Sequence, residues 1–217
     1  MAQQTITALF DRYPDASAAV GEIEGQGIPH GDISLVSNNE GDRHAGTLGD
    51  GGADTRDRAK DRAKDGTGAG ATLGTVAGGA AGLLAGLGLI AIPGVGPVVA
   101  AGWLVATLTG AGLGAAAGGL AGALTGAGVS EGDAHAYGEG VRRGGTLVTV
   151  RIDPAQAALA PTVTAALERH GAVDLDEKAS AWRAEGWTAP QVTAGSGPAG
   201  MPSGQGRTRT YPATTDL

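Results

Sequence analysis

GTGAGATLGTVAGGAAGLLAGLGLIAIPGVGPVVAAGWLVATLTGAGLGAAAGGLAGALTGAGVS, residues 66–130, is a run of 65 residues without a charge or a histidine, and 20 of them are glycine. The glycines keep a register. Gly66, Gly70, Gly74, Gly78, Gly82 and Gly86 recur every fourth residue, and so do Gly110, Gly114, Gly118, Gly122 and Gly126, a row that Gly102 and Ala106 extend backwards. A period of four places residues along one slowly drifting helix face, and a row without side chains lets a second backbone approach closely. Between the two rows, Pro93, Gly94, Gly96 and Pro97 interrupt any helix. The expectation is a glycine-zipper helical hairpin over 66–130 with its turn at those four residues.

Such a hairpin needs a partner. An interior glycine costs a helix roughly 1 kcal/mol relative to alanine, so the eight glycines of Thr67–Ile92 put that arm about 8 kcal/mol behind a polyalanine helix. Tight packing has to offset that cost, which makes Gly70, Gly74, Gly78, Gly82, Gly86, Gly102, Gly110, Gly114, Gly118, Gly122 and Gly126 the expected assembly interface. Two destinations stay open: a homo-oligomer core or a lipid bilayer. Each arm is long enough to span about 30 Å of hydrocarbon. The grease, however, is concentrated at the turn, with 13 Leu, Ile, Val or Trp among Leu83–Leu108. An embedded wedge or an oligomer core buries such a tip better than a spanning hairpin does.

Outside this run the chain reads as two β-α-β halves. Thr5–Phe10 mixes β-branched and apolar residues as a strand does; Pro14 opens a helix with Ala16, Ala19, Val20 and Ile23 at helical spacing; Ile33–Ser37 is a second strand. Downstream, Thr146–Ile152 is a strand, Pro161 forces a kink or a short turn before a helix ending at His170-Gly171, and Ala172–Asp176 is a fourth strand. Ser130, with Glu131 and Asp133 behind it, is an N-cap. The expected fold is therefore α+β: a ferredoxin-like domain of residues 4–37 and 131–178, interrupted by a polar loop and charged helical stem (38–65) and by the hairpin (66–130). Residues 179–217 are rich in Gly, Pro, Ser and Thr and are expected to be a largely disordered tail. Its exception is Trp182, Arg183 and Trp187, a candidate docking motif for either the parent domain or a protein partner.

Composition narrows function. Gly supplies 41 of 217 residues and aromatics only 3%, few large side chains with which to build a catalytic interior. There is no Cys, and the start Met1-Ala2-Gln3-Gln4-Thr5 lacks a secretory pattern, so a cytoplasmic location is expected, with membrane association if the hairpin enters a bilayer. A formal net charge of −7 argues against nucleic acid as a partner, and the Asp57-Arg58-Ala59-Lys60 and Asp61-Arg62-Ala63-Lys64 repeats interleave both signs. His30, His44, His135 and His170 have no ligand spacing, no nucleophile has an adjacent base, and Gly86-Leu87-Gly88 lacks the preceding strand of a dinucleotide site. No catalytic, cofactor or metal residues are assigned.

Thr5-Ile6-Thr7-Ala8-Leu9-Phe10-Asp11, Gly27-Ile28-Pro29 to Val36, Ala91–Pro97 within its Gly/Ala arms, Tyr137, Gly144-Gly145-Thr146-Leu147-Val148 and Glu168-Arg169-His170-Gly171-Ala172 together resemble the bacterial general stress protein family with a heat-induced, YflT-type domain. The resemblance covers most of Gln4–Asp176; the charged stem and the tail depart from the family's short form. It implies a stress-related protein without an assigned reaction and supplies no catalytic residues. The expectation is thus a non-enzymatic protein that self-assembles into a homo-oligomer through its hairpin. The alternative is a small-molecule-binding regulatory module, on fold analogy.

Overall fold

Alternation of β-branched and apolar residues makes the sheet, and proline or glycine punctuation makes the helices that cover it. The computed structural model describes residues 3–40, 88–92, 95–105, 113–189 and 206–212. In chain order the elements are β1 (Gln4–Phe10), α1 (Tyr13–Gly25), β2 (Ile33–Asn38), β3 (Gly88–Ile92), β4 (Gly96–Gly102), α2 (Leu113–Gly126), α3 (Glu131–Arg142), β5 (Thr146–Ile152), α4 (Ala160–Arg169), α5 (Leu175–Ala184) and β6 (Thr208–Pro212), with 3-10 turns at His30–Asp32 and Pro154–Leu159. The fold is α+β. Six strands form one antiparallel sheet in the order β3-β4-β2-β5-β1-β6. Since β1 and β2 are each antiparallel to β5, which lies between them, they run parallel to one another, and α1 makes the crossover.

Strand residues alternate between two cores. Ile6, Ala8, Phe10, Leu35 and Val148 face one side with the apolar residues of α1 and α4, including Val20, Ile23, Val163 and Leu167. Leu9, Val36, Val98, Ala100 and Leu147 face the other side, against Leu120 and Leu124 of α2, Tyr137 of α3 and Trp182 of α5. Helices therefore cover both faces. Ser130 caps α3, accepting from the Asp133 N–H at 3.3 Å. Pro161 sits in the first turn of α4, directly after a 3-10 turn, as the turn-then-helix alternative requires.

Four expectations are corrected. First, residues 88–92 and 96–102 are a strand pair and not the tip of a helical hairpin; Gly96 and Pro97 open β4, while Pro93 and Gly94 lie outside the described residues. Ile90 pairs with Val98 and Leu89 with Val99, and β-branched residues on a sheet buried on both faces outweigh the glycine register. Val98, Val99, Ala100, Ala101 and Leu104 are core residues, so this part of the apolar tip is covered by the protein's own sheet and helices. Second, α2 is not one straight arm: Gly119, at φ 56° and ψ −133°, breaks it between Gly118 and Gly122. Third, Ala172–Asp176 is a single antiparallel bridge, Val173 to Leu9, because Asp174 turns to cap α5, accepting from the N–H groups of Asp176 and Glu177 at 2.9 and 3.1 Å. Fourth, the tail beyond residue 178 contributes the end of α5 and the whole of β6. The charged stem, Gly66–Gly86 and Gly110 lie outside the described residues.

Candidate functional site

The described part of the expected assembly row splits into three environments. Gly102 ends β4 at φ +90°, and a Cβ there would lie 2.0 Å from the Ile33 carbonyl oxygen. Its missing side chain thus serves β4–β2 packing within the chain. Gly114 and Gly118 lie in α2 before the break at Gly119. Gly122 and Gly126 follow it, two positions from Leu120 and Leu124, so about 200° around the helix from the buried leucines. Gly122 is half-buried and Gly126 exposed, with nothing within 4 Å of a Cβ built at Gly126. Gly126 thus leaves the last turn of α2 open to approach by another backbone.

The tryptophan motif closes on its own domain. Trp182 is 7% exposed and packs in the second core, with Trp187 edge-on to it at 6.1 Å between ring centroids. Arg143 lies over Trp182 and Arg183 over Trp187, at 5.4 and 5.8 Å from the ring centroids. Of the two readings of this motif, the parent domain is the one Trp182 occupies.

A dense polar cluster among the described residues is not legible in the sequence as a site. Position by position, β6 pairs with β1 from Gln4↔Pro212 to Ala8↔Thr208, adding a sixth strand on the edge where Val173 meets Leu9. Arg209 and Tyr211 point to the polar face between α3 and α5. There Arg209 is ion-paired with Asp133 and, at 2.6 Å, with Asp176, and the Tyr211 hydroxyl donates to Asp133 at 2.8 Å. Next to it, Thr7 donates to the Tyr137 hydroxyl at 2.9 Å. On the opposite face, Thr208 donates to Glu168 at 3.1 Å. Burial works against the charge of Arg209, but Asp176 and Asp133 outweigh it and hold its pKa above the ordinary value. Burial pushes the Tyr137 phenol up to about 12 and that of Tyr211 upward as well, so both hydroxyls stay protonated as donors at neutral pH. The signal in the sequence is Thr208-Arg209-Thr210-Tyr211, a period-two alternation of β-branched or aromatic residues that a Gly/Pro-rich context hides.

Two carboxylates form ion-paired nodes elsewhere. Glu139, buried on α3, accepts from Arg142 at 2.7 Å and from Arg143 at 2.5 Å. Burial opposes its charge, yet the two arginines outweigh burial and hold its carboxyl below the ordinary 4.5. Glu22 joins α1 to α4 through hydrogen bonds from Arg169 and from His170, the latter at 2.9 Å, and these lower its carboxyl too. A depressed carboxylate contributes stability that is complete above its unfolded-state pKa and lost as pH falls through the folded value. Acidification between about pH 5 and pH 2 is therefore expected to lower the urea midpoint, and Glu139→Gln to flatten that acid limb while lowering stability at neutral pH. A midpoint-versus-pH curve of the same acid slope in the variant would contradict this.

Each described histidine stands beside a carboxylate, His30 beside Glu24 at 2.8 Å, His170 beside Glu22 at 2.9 Å and His135 beside Glu131 at 3.9 Å, while His44 lies outside the described residues. Among the described residues no three His, Cys, Asp or Glu side chains form a group that could hold a metal ion, and no helix is long and apolar enough to cross a membrane. No protein-family model matches the chain, and no curated protein or solved structure matches it. The fold and the clusters above define an α+β protein with an antiparallel sheet between two helical layers and β6 at one edge of that sheet.

Proposed function

We infer that this is a non-enzymatic, general-stress-type protein that works by self-association, its Gly/Ala-rich segment being the associating element and the α+β domain its anchor. The observation that carries the reading is the open glycine position in the last turn of α2. Gly122 is half-buried and Gly126 exposed with nothing within 4 Å of a Cβ built there, and a helical glycine position with open space beside it is suited to close approach of a second backbone. The chain pairs this with 43 uncharged residues before Gly110, from Thr67 to Thr109, of which the strand pair consumes only the later part. The split β-α-β arrangement of β1, α1 and β2 around β5, with Val173 beside β1, supports the ferredoxin-like reading of the core. A bilayer is the weaker destination for the Val98–Leu104 part of the apolar tip, whose Val98, Val99, Ala100, Ala101 and Leu104 already have a protein covering.

Sizing by light scattering tests the proposal. The parent protein is expected to elute as a homo-oligomer in detergent-free buffer, and Gly122→Leu to reduce its size, because a branched side chain overpacks a backbone contact by about 1–3 kcal/mol at each interface. Gly132→Leu, at an exposed α3 position with nothing within 4 Å, is the control and should leave the size unchanged. A parent monomer, or equal behaviour of the two variants, would sink the proposal.

A further inference from the structure

Trp187 is held in place by a helix ending. Gly186, at φ 96°, turns the chain after α5, and the Trp187 N–H donates to the Trp182 carbonyl at 2.9 Å, so the second indole folds back edge-on to the first. Trp182 is buried in the second core, but Trp187 keeps part of its surface in solvent, and the exposed Arg183 lies over it. Arg143, over Trp182, is tied in turn to Arg142. Both guanidiniums bond the buried Glu139 carboxylate, Arg142 through Nε and Nη2 and Arg143 through Nε, while Arg143 Nη1 pairs with Glu185. Two like charges are thereby held side by side: Glu139 keeps the Arg142 pKa above its ordinary value, against burial and the repulsion of Arg143.

Three guanidiniums, Arg142, Arg143 and Arg183, stand against two carboxylates, Glu139 and Glu185. Among the described residues these bonds leave Arg142 Nη1, Arg143 Nη2 and the fork of Arg183 unspent. An arginine already fixed by an indole face or a buried carboxylate has given up its rotamer freedom, so binding an anion costs little further ordering. Trp and Arg together are the residues that carry most energy at protein interfaces. These side chains stand open to solvent, whereas a small molecule needs a cleft that buries most of it. Charges beyond about 8 Å are screened at physiological ionic strength, so the local excess of arginine, and not the net −7 of the chain, governs approach.

We propose that Arg142, Arg143 and Arg183, beside Trp182 and Trp187 at the C-terminal ends of α3 and α5, form a docking surface for an acidic peptide segment of a partner protein, with Glu139 as the residue that positions the arginine pair. Carboxylates of the segment bridge the planar guanidinium forks, and its apolar atoms cover the exposed part of Trp187.

The probe is fluorescein-labelled octaglutamate, titrated with the full chain at about 0.15 M salt and followed by anisotropy. Saturable binding is expected. Arg183→Gln, at an exposed position, and Arg142→Gln should each weaken it at least about fivefold, the factor that marks an interface residue of consequence. Glu139→Gln separates two accounts by sign. It adds one positive charge to the surface, so diffuse attraction predicts tighter binding, whereas a positioned pair predicts binding about tenfold weaker, because both guanidiniums lose their charged anchor. Near-ultraviolet circular dichroism matching the parent establishes that Glu139→Gln is folded under these conditions; if it is not, Arg142→Gln and Arg183→Gln decide. Absence of saturable binding, unchanged affinity in Arg183→Gln, or tighter binding to Glu139→Gln overturns the docking surface. An oligothymidine of equal charge that binds more tightly than octaglutamate overturns the peptide as its occupant and assigns the surface to single-stranded nucleic acid.

Discussion

Gly102→Ala should destabilise the protein by at least about 3 kcal/mol, read as a fall in the urea midpoint at unchanged m-value. Two costs add. At φ +90° an L-residue is strained by about 1–3 kcal/mol. The new Cβ would also lie 2.0 Å from the Ile33 oxygen, 2.7 Å from the Ser34 Cα and 2.9 Å from the Ile33 carbonyl carbon, all backbone atoms of the neighbouring strand that no rotamer change moves. Relief requires β4 to lift from β2, whose register places Ser34 opposite Gly102. Gly126→Ala, measured at a concentration where the chain is monomeric, provides the contrast within the same glycine row: nothing of its own chain lies within 4 Å, and loss of unfolded-state entropy should stabilise by about 0.4–1 kcal/mol. If both changes lower the midpoint equally, or Gly102→Ala costs under about 1 kcal/mol, then the close approach at β2 does not determine the residue.

That contrast shows where a sequence pattern stops being informative. Glycine every fourth residue is a statement about spacing, and spacing alone assigns Gly102 and Gly126 to one row. The structure separates them because Val98, Val99 and Ala100, uncharged and buried on both faces of a sheet, read as well in a strand as in a helix. Short apolar runs lack the polar half of the pattern that would reveal their period. Where that half exists, the elements were legible: Ala16, Ala19, Val20 and Ile23 against Asp15, Glu22 and Glu24 fixed α1, and Ser130 with its following acids fixed the start of α3. The sequence around Val173 suits a strand as well as a bridge, because Asp174 serves equally as a strand end and as a helix cap. The polar cluster beneath β6 could not be seen at all from spacing. Thr7, Asp133, Asp176 and Arg209 are far apart along the chain and meet only because β1 offers an edge that the tail fills.

Arg209 is the residue on which that edge depends, and its replacement should free β6 without unfolding the rest. The side chain is 7% exposed and joins carboxylates from two helices, Asp133 at 16% exposure and Asp176 at 72%. Asp176 is so well solvated that its share is small. Asp133 is the partner that matters, because removing the guanidinium leaves a largely buried carboxylate with the Tyr211 hydroxyl as its remaining partner across the β6 interface. Arg209→Ala should therefore cost about 2–4 kcal/mol, on the order of a hundredfold in the docking equilibrium of β6. Since β6 is an edge strand paired only with β1, the loss should be local: amide hydrogen exchange in 206–212 and along Gln4–Ala8 accelerates by that factor, while β5 and β2, shielded on both sides, keep their protection. Arg209→Lys retains the charge but not the planar fork that serves two carboxylates at once, so it should fall between the two. Asp176→Ala should be nearly silent, by the solvation argument, and Asp133→Asn nearly as damaging as Arg209→Ala. Uniform acceleration across the whole sheet in Arg209→Ala would show that β6 is integral to the fold, and a silent Asp133→Asn would show that main-chain pairing alone seats the strand.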